Sequence, residues 1–487
     1  MARLHGSALG YRDLDGGRDL TFAEWEDRSN LLARGLVDAG VAKGDRVSLF
    51  LPSEEVLRWI VAYAAVHKAG AVAVPTNTRL SQPELRRILA HCEAAAVLTC
   101  EALAGAVGAV RGEVPSIRVV ATSEEELSGR AHGDASEFQV PVTGDDLCDI
   151  MYTSGTTGSP KGVAVRHRNI SLIPNSEPNW TGSGWLTSSP LFTFSGIAFV
   201  YNPMKLGMTG LFQAKFDAGR WLEYVEKHRP GAAFIVPAMA QLIIAHPRFE
   251  DADLSSLALC SLGSAPLAPE TLRRLQQRLP NASVSNGYGM TEAGPAYCST
   301  PRGEAGKRVG SVGRPMPPLQ VKIVSESGQD LPAGEVGEVL INLPGRAREY
   351  YRDEEATAQT WAGGWLHSGD LGRLDDDGFL YIVGRKKEMI IRGGNNIYPT
   401  DVEAVLLEHP SVQEAAVVGV PHEVLGEDVA AFVVLRPSEV VTREELVGFC
   451  EERLTSFKVP RRIAIVTELP RNATGKVLKH ELAASVE

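Results

Sequence analysis

Short apolar runs alternate with amphipathic stretches that open on capping signals, and this alternation limits most tightly how the chain can fold. Thr21-x-x-Glu24 is a capping box, and the apolar positions Phe22, Trp25, Leu32 and Leu36 recur at helical spacing until Gly40 supplies a C-terminal stop. The run 47–51 then reads as a buried strand, 54–68 as a helix, and 71–74 as a strand ending at Pro75. Ser81-x-x-Glu84 starts a further helix, and 95–99 is another strand. Short runs of this kind are buried on both faces, and a helix between successive strands makes their pairing parallel. The cycle resumes later, with helices expected at 220–228, 238–245 and 269–278 and strands at 232–236 and 257–262. The fold class is therefore α/β, with doubly wound sheets in a large N-terminal domain.

From about Gly310 to Tyr381 the pattern changes to short strands separated by Gly, Pro and Asp-rich turns, which suggests a small β subdomain or distorted barrel. Beyond Met389 two more capping boxes, Thr400-x-x-Glu403 and Thr442-x-x-Glu445, interleave with strands near 413–420, 429–435 and 463–466, which describes a small α+β domain. The charged stretch Gly384-Arg-Lys-Lys-Glu388 marks the boundary, although alone it would read as a solvated turn. The expected domains are 1–384 and 389–487, joined through 385–388.

A chain of 487 residues exceeds one ordinary core, and its 44% hydrophobic and 22% charged residues are those of a soluble globular protein. A formal net charge of −11 argues against a nucleic-acid binder. The six cysteines form no C-x-x-C pair and no zinc-like spacing, which argues against a disulfide framework or a structural metal and favours a reducing cytoplasm. The N-terminus lacks the build of a signal peptide, and no window offers the uninterrupted apolar length of an integral membrane span.

Directly after the mostly apolar run Leu147 to Met151, the segment 152–162 gathers five Ser/Thr hydroxyls, three glycines and one lysine. Glycines allow sharp turns that bring backbone N–H groups to an anion, and hydroxyls with a lysine complete a shell around polyphosphate. The spacing is not that of a P-loop, because Lys161 follows Pro160 and precedes Gly162. On composition alone such a segment is a solvated loop.

The full pattern Tyr152-Thr-Ser-Gly-Thr-Thr-Gly-Ser-Pro-Lys-Gly162 resembles the signature loop of AMP-forming adenylating enzymes: acyl-CoA synthetases, peptide-synthetase adenylation domains and luciferases. The resemblance spans nearly the whole chain. It implies ATP binding by Thr153, Ser154, Gly155, Thr156, Thr157, Gly158 and Lys161, with Lys161 steadying the leaving pyrophosphate. Gly263-Ser264-Ala265-Pro266 and Asn286-Gly287-Tyr288-Gly289-Met290-Thr291-Glu292 match the adenine-binding segments. Tyr288 would then stack on adenine, Thr291 would reach the α-phosphate, and Glu292 with Thr153 would hold Mg²⁺ through hard oxygen ligands. Read singly, Tyr288 is a core aromatic and Glu292 a surface acid.

Asp370 and Arg385 match the ribose-binding pair, with Ile382 beside them, and Lys476 in Pro470-Arg-Asn-Ala-Thr-Gly-Lys476 matches the lysine of a mobile C-terminal domain. A lysine there would bridge the carboxylate and α-phosphate and offset charge growing on the phosphoryl oxygens. Lys387 matches the hinge about which that domain rotates, and Gly393 and Gly394 match a loop that lets the pantetheine arm of CoA pass. A glycine-rich turn is the plainer reading of that loop. The Gly-Gly-x-Asn-Ile-Tyr-Pro form of 393–399 is typical of acyl-CoA ligases and favours CoA as acceptor.

The chain departs from the family at the acyl-pocket wall. Pro190-Leu-Phe192-Thr193-Phe194-Ser-Gly196 carries Thr193 where a histidine is usual, and Val236 and Met239 would face it. Phe192 and Phe194 suggest an apolar or aromatic pocket, and no basic residue in these segments could pair a second carboxylate, although an arginine from elsewhere could enter. The resemblance thus implies activation of a small carboxylic acid by ATP and transfer to CoA. Thr193 keeps open a second class: carrier-protein loading, amide formation or nitrite-activating diazotisation in secondary metabolism. A homodimer is compatible with either.

Overall fold

The computed structural model describes residues 1–153, 160–170, 177, 179–265, 267–296, 298–300, 308, 310–344, 348–471 and 476–486, the side chains of 295, 296 and 299 apart. Two seven-stranded sheets build the N-terminal region. In one, Arg46–Leu49 lies between Val72–Pro75 and Ala94–Leu98, flanked by Leu147–Thr153 and Val119–Ala121, all parallel. Lys161–Arg166 and Glu349–Tyr350 extend its edge antiparallel. In the other, Ser283–Asn286, Leu259–Leu262, Ala232–Ile235, Gly184–Thr187, Thr209–Phe212 and Leu9–Asp13 run parallel in that spatial order, and Arg18–Thr21 closes the edge antiparallel.

Helices Phe22–Asp38 and Val56–Lys68 join the two sheets into one core. Val56–Lys68 is apolar around most of its circumference and buries eleven side chains, including Trp59, Ile60 and Tyr63. A helix of that kind must lie inside. Its residues share one apolar cluster with Tyr11 and Leu20 of one sheet and Val47 and Leu49 of the other. Burying each such large side chain contributes about 1.5–3 kcal/mol.

The segments between Ser311 and Arg385 form an antiparallel sheet with Cys298–Ser299 at one edge and Gln320–Val324 at the other, open in its described strand order rather than closed as a barrel. After it, Val412–His422 and Gly426–Leu435 form a long hairpin. Ile390–Arg392, itself paired with Asn395–Ile397, and Arg462–Val466 both lie along the free edge of Gly426–Leu435, the first antiparallel at Gly426 and the second parallel from Ala430 to Val434, and helices Pro399–Glu408 and Arg443–Glu451 bring Val402, Leu406 and Leu446 into the same core.

Three of the four expected capping boxes form, at Thr21, Ser81 and Thr442. Thr400 does not cap its helix. Pro399 occupies the first helical position, where its fixed φ starts the helix one residue earlier, and the Thr400 hydroxyl donates to the Val383 carbonyl instead. Likewise the helix expected from 54 begins at Val56, because Pro52 leads into a 3₁₀ turn over Ser53–Glu55.

Candidate functional site

Strand Leu147–Thr153 and strand Lys161–Arg166 pair so that Thr153 lies opposite Lys161. The turn of the loop, with Ser154, Gly155, Thr156, Thr157 and Gly158, lies outside the described residues, as does Pro266. Lys161 Nζ stands 4.8 Å from the centre of the Tyr350 ring, and the Tyr350 hydroxyl donates to Glu292 Oε1 at 3.1 Å. Tyr350 therefore joins the lysine of the phosphate loop to the acid expected to hold a metal. The sequence reading missed it: Tyr350 reaches the site only through the short strand Glu349–Tyr350 paired to Lys161–Arg166. A cavity of about 370 Å³ opens beside Lys161, lined also by Tyr152, Tyr350 and His91.

Strands Leu259–Leu262 and Ser283–Asn286 are parallel neighbours, and Gly263 and Gly287 follow their ends. A Cβ on Gly263 would lie 3.2 Å from the Gly287 carbonyl oxygen, and one on Gly287 would lie 3.2 Å from that of Leu262. Glycine permits the approach. Ser264 continues at φ +73, ahead of Ala265, and Asn286 leads into the hairpin of Tyr288–Met290 with Gly294–Ala296, where Gly289 is exposed. Ile382 packs against the same apolar cluster as Tyr288 and Met290.

Asp370 pairs with Arg385 across strands Trp365–Leu374 and Leu380–Arg385. Arg385 Nε lies 2.9 Å from Asp370 Oδ1, and the Tyr288 hydroxyl donates to Oδ2 at 2.7 Å. Asp370 is 4% exposed, and burial raises its pKa against the opposing pull of Arg385, Tyr288 and Lys476. Lys476 belongs to this charge cluster. Burial, and then the Arg385 cation, depress its pKa, while Glu388 and Asp370 act to raise it. The C-terminal segment thus brings a lysine to the Tyr288–Asp370–Arg385 group from more than ninety residues away in sequence. Lys479, three residues on, binds Glu403 at 2.7 Å and Glu388 at 3.3 Å and fixes the following helix.

Thr291 and Glu292 meet a residue that the sequence did not single out. Arg348, 5% exposed, donates to the Thr291 carbonyl at 2.6 Å and to the Asn169 carbonyl at 2.9 Å. Its guanidinium lies 5.1 Å from the centre of the Phe194 ring. Burial depresses its pKa, though Glu292 and Asp149 hold the charge in place. Arg348 thus stands beside Phe194, in the segment expected to line the acyl pocket.

Thr193 caps helix Phe194–Lys205. Its hydroxyl accepts from the Gly196 N–H at 3.0 Å and donates to the Pro190 carbonyl at 2.7 Å, a role that suits a short β-hydroxyl. Gly196 is confined, since a Cβ there would fall 2.0 Å from the Pro190 carbonyl oxygen. Phe192 is half-buried just before the cap. Phe199 and Phe234 continue the aromatic wall with ring centres 5.1 Å apart; Val236 starts helix Pro237–Ala245, from which Met239 packs into the adjacent core.

Gly393 and Gly394 form the two-residue turn between Ile390–Arg392 and Asn395–Ile397, at φ +56 and +83. Positive φ at both positions is what such a tight hairpin requires. In this arrangement the pair serves as a turn, with open space around Gly394. Lys387 lies in the 3₁₀ turn Lys386–Glu388, between the antiparallel sheet and the C-terminal strands.

Residues 4–351 match the family model described as AMP-binding enzyme, and residues 401–476 match the one described as AMP-binding enzyme C-terminal domain. A feruloyl-CoA synthase from Amycolatopsis sp is 37% identical over 474 residues, covering 96% of this chain and 94% of the relative. Among solved structures, the anthranilate CoA ligase AuaEII in complex with anthranoyl-AMP superposes with a TM-score of 0.91 at 27% identity, covering 99% of this chain and 95% of that one. ATP-bound MatB from Rhodopseudomonas palustris follows at a TM-score of 0.89 and 28% identity, covering 99% and 98%. The architecture, the ordered motifs and these likenesses agree that the chain belongs to the AMP-binding enzymes, the adenylate-forming ligases.

Proposed function

We propose that the protein is an ATP-dependent ligase that activates an aromatic carboxylic acid as its acyl-adenylate and passes the acyl group to the thiol of CoA. The observation that carries this reading is Lys476 drawn into the Tyr288–Asp370–Arg385 cluster, because adenylation needs a cation where carboxylate and α-phosphate meet. The feruloyl- and anthranoyl-activating relatives and the ring-lined wall of Phe194, Phe199 and Phe234 support an aromatic acid.

In the first half-reaction a carboxylate oxygen attacks the α-phosphorus of ATP, the new P–O bond forms, and the bond to the β-phosphate oxygen breaks to release pyrophosphate. Lys476 offsets the repulsion between the two anions, Lys161 steadies the departing pyrophosphate, and Tyr288 and Asp370 position the adenosine. Glu292 and Thr153 would hold Mg²⁺. Hard oxygen donors suit that ion, and Tyr350 engages one oxygen of Glu292, fixing the carboxylate's direction. When bound, the ion neutralises phosphate charge.

In the second half-reaction the CoA sulfur attacks the acyl carbon, the C–O bond to AMP breaks, and the thiol proton is released. We take residues 385–388 as the hinge between domains 1–384 and 389–487, turning about Lys387 to exchange Lys476 for the Gly393–Gly394 turn. Thr193 favours a second reading of the acceptor, since its hydroxyl is committed to capping and supplies no imidazole beside the thiol path. A panel of aromatic and aliphatic acids, each with CoA, an amine or a carrier protein, separates the two. Thioester formed from aromatic acids and CoA supports the first reading; amide or carrier-bound product without CoA turnover supports the second.

A further inference from the structure

A buried group of side chains able to ligate a metal lies between strand Leu147–Thr153 and helix Val56–Lys68 and has no part in the reaction above. Strand Leu147–Thr153 carries a bulge: Leu147 opposes Arg166 and Asp149 opposes Val165, so Cys148 is an extra residue. In a regular strand neighbouring side chains point to opposite faces. The bulge turns Cys148 to the same side as Asp149, with Sγ 3.6 Å from Asp149 Oδ2, whereas Ile150 packs into a different cluster. Helix Val56–Lys68 faces them with Tyr63 and His67, one turn apart. His67 Nε2 lies 3.1 Å from Asp149 Oδ1.

We propose that His67, Cys148 and Asp149 bind a divalent transition-metal ion, zinc by the chemistry of the ligands. One donor atom from each lies within 4.8 Å of the others, and all three residues are buried. Thiolate, imidazole and carboxylate together suit tetrahedral zinc, whose bonds of roughly 2.0–2.3 Å set neighbouring donors a little over 3 Å apart.

The surrounding groups are those that orient metal ligands. His67 Nδ1 is 2.9 Å from the Tyr201 hydroxyl, which leaves Nε2 as the lone-pair nitrogen when Nδ1 donates. The Tyr63 hydroxyl donates to the second oxygen of Asp149 at 3.0 Å. The His167 ring centre is 5.7 Å from that of His67, and its Nε2 is buried with no hydrogen-bond partner. Without a metal, Tyr63 and His67 satisfy the carboxylate and the Cys148 thiol donates to the Val165 carbonyl at 3.3 Å, which leaves the His167 imidazole as the buried group that this network does not use.

Asp149 has no exposure and already shares its charge with the buried Arg348 guanidinium, so a divalent ion here would join an existing cation and calls for the Cys148 thiolate as well as the carboxylate. Cysteine spacing conceals the site, because its residues come from a helix and a bulged strand far apart in sequence.

The full-length protein grown in cobalt-supplemented minimal medium and purified without chelator tests this. We expect equimolar cobalt, a thiolate-to-cobalt charge-transfer band, and visible bands of tetrahedral intensity. Cys148→Ser should abolish the charge-transfer band, and His67→Asn should lower cobalt content. Zinc-grown protein should hold equimolar zinc and melt at a lower temperature once stripped. Wild-type protein without stoichiometric metal overturns the proposal, as does a charge-transfer band that survives Cys148→Ser. Every reading is made without ATP, acid or CoA, so its outcome is independent of the ligase reading.

Discussion

The Tyr288 hydroxyl donates to Asp370 Oδ2 at 2.7 Å, tying the hairpin expected to carry adenine to the carboxylate expected to carry ribose. Arg385 occupies the other oxygen, so the aspartate is aimed before nucleotide arrives. Asp370→Ala removes a charged acceptor worth about 1.5–3 kcal/mol, and we expect KM for ATP to rise about 10- to 100-fold. Tyr288→Phe keeps the ring and loses only the bond to Asp370, so its effect should be clearly smaller. Steady-state kinetics in ATP compare the two.

Lys476→Ala should slow acyl-adenylate formation by about 10²–10³-fold. Nucleotide binding, followed by calorimetry with AMP, should change little. Thioester formation from supplied acyl-adenylate and CoA should also persist, because the proposed hinge motion withdraws the lysine for that step.

The depressed pKa of Lys476 gives adenylation an alkaline limit. The working form is the cation, and its charge is lost as pH rises through the folded-state pKa. Adenylation should therefore fall at a pH below the ordinary lysine value of about 10.4. Lys476→Arg should move that limb upward or remove it, which a pH series of pyrophosphate release reads directly.

Arg348→Met should destabilise the protein by leaving the Thr291 and Asn169 carbonyls without their donor, at roughly 1–3 kcal/mol each. Because Thr291 adjoins Glu292, kcat should fall along with the melting temperature. Arg348→Lys cannot reproduce both bonds and the stacking on Phe194, so it should rescue only partly.

Thr193→Val removes the cap of helix Phe194–Lys205 and should cost about 1 kcal/mol in denaturant unfolding. Thr193→Ser keeps the capping oxygen and should recover most of that loss.

The alternating strands and helices of both large sheets were legible because each carries its own apolar period and capping signal, as at Thr21 and Ser81. Motifs local in sequence, from Thr153 to Lys161 and from Asn286 to Glu292, were enough to point to the family that the comparisons show. Tyr350 and Arg348 were not, because their meaning depends on a two-residue strand that pairs with Lys161–Arg166 and carries them to the site. The bulge at Cys148 was hidden for a similar reason: it exists only in the register between two strands. Thr400 misled because a local capping pattern was overridden by the proline before it.

The order of bond making is tested most directly by quenching a single turnover with ATP and an aromatic acid in the absence of CoA. We expect one equivalent of acyl-adenylate and one of pyrophosphate on the enzyme, converted to thioester and AMP when CoA is added. Release of ADP and phosphate, or pyrophosphate formed at the same rate without any acid, would contradict adenylation as the first step.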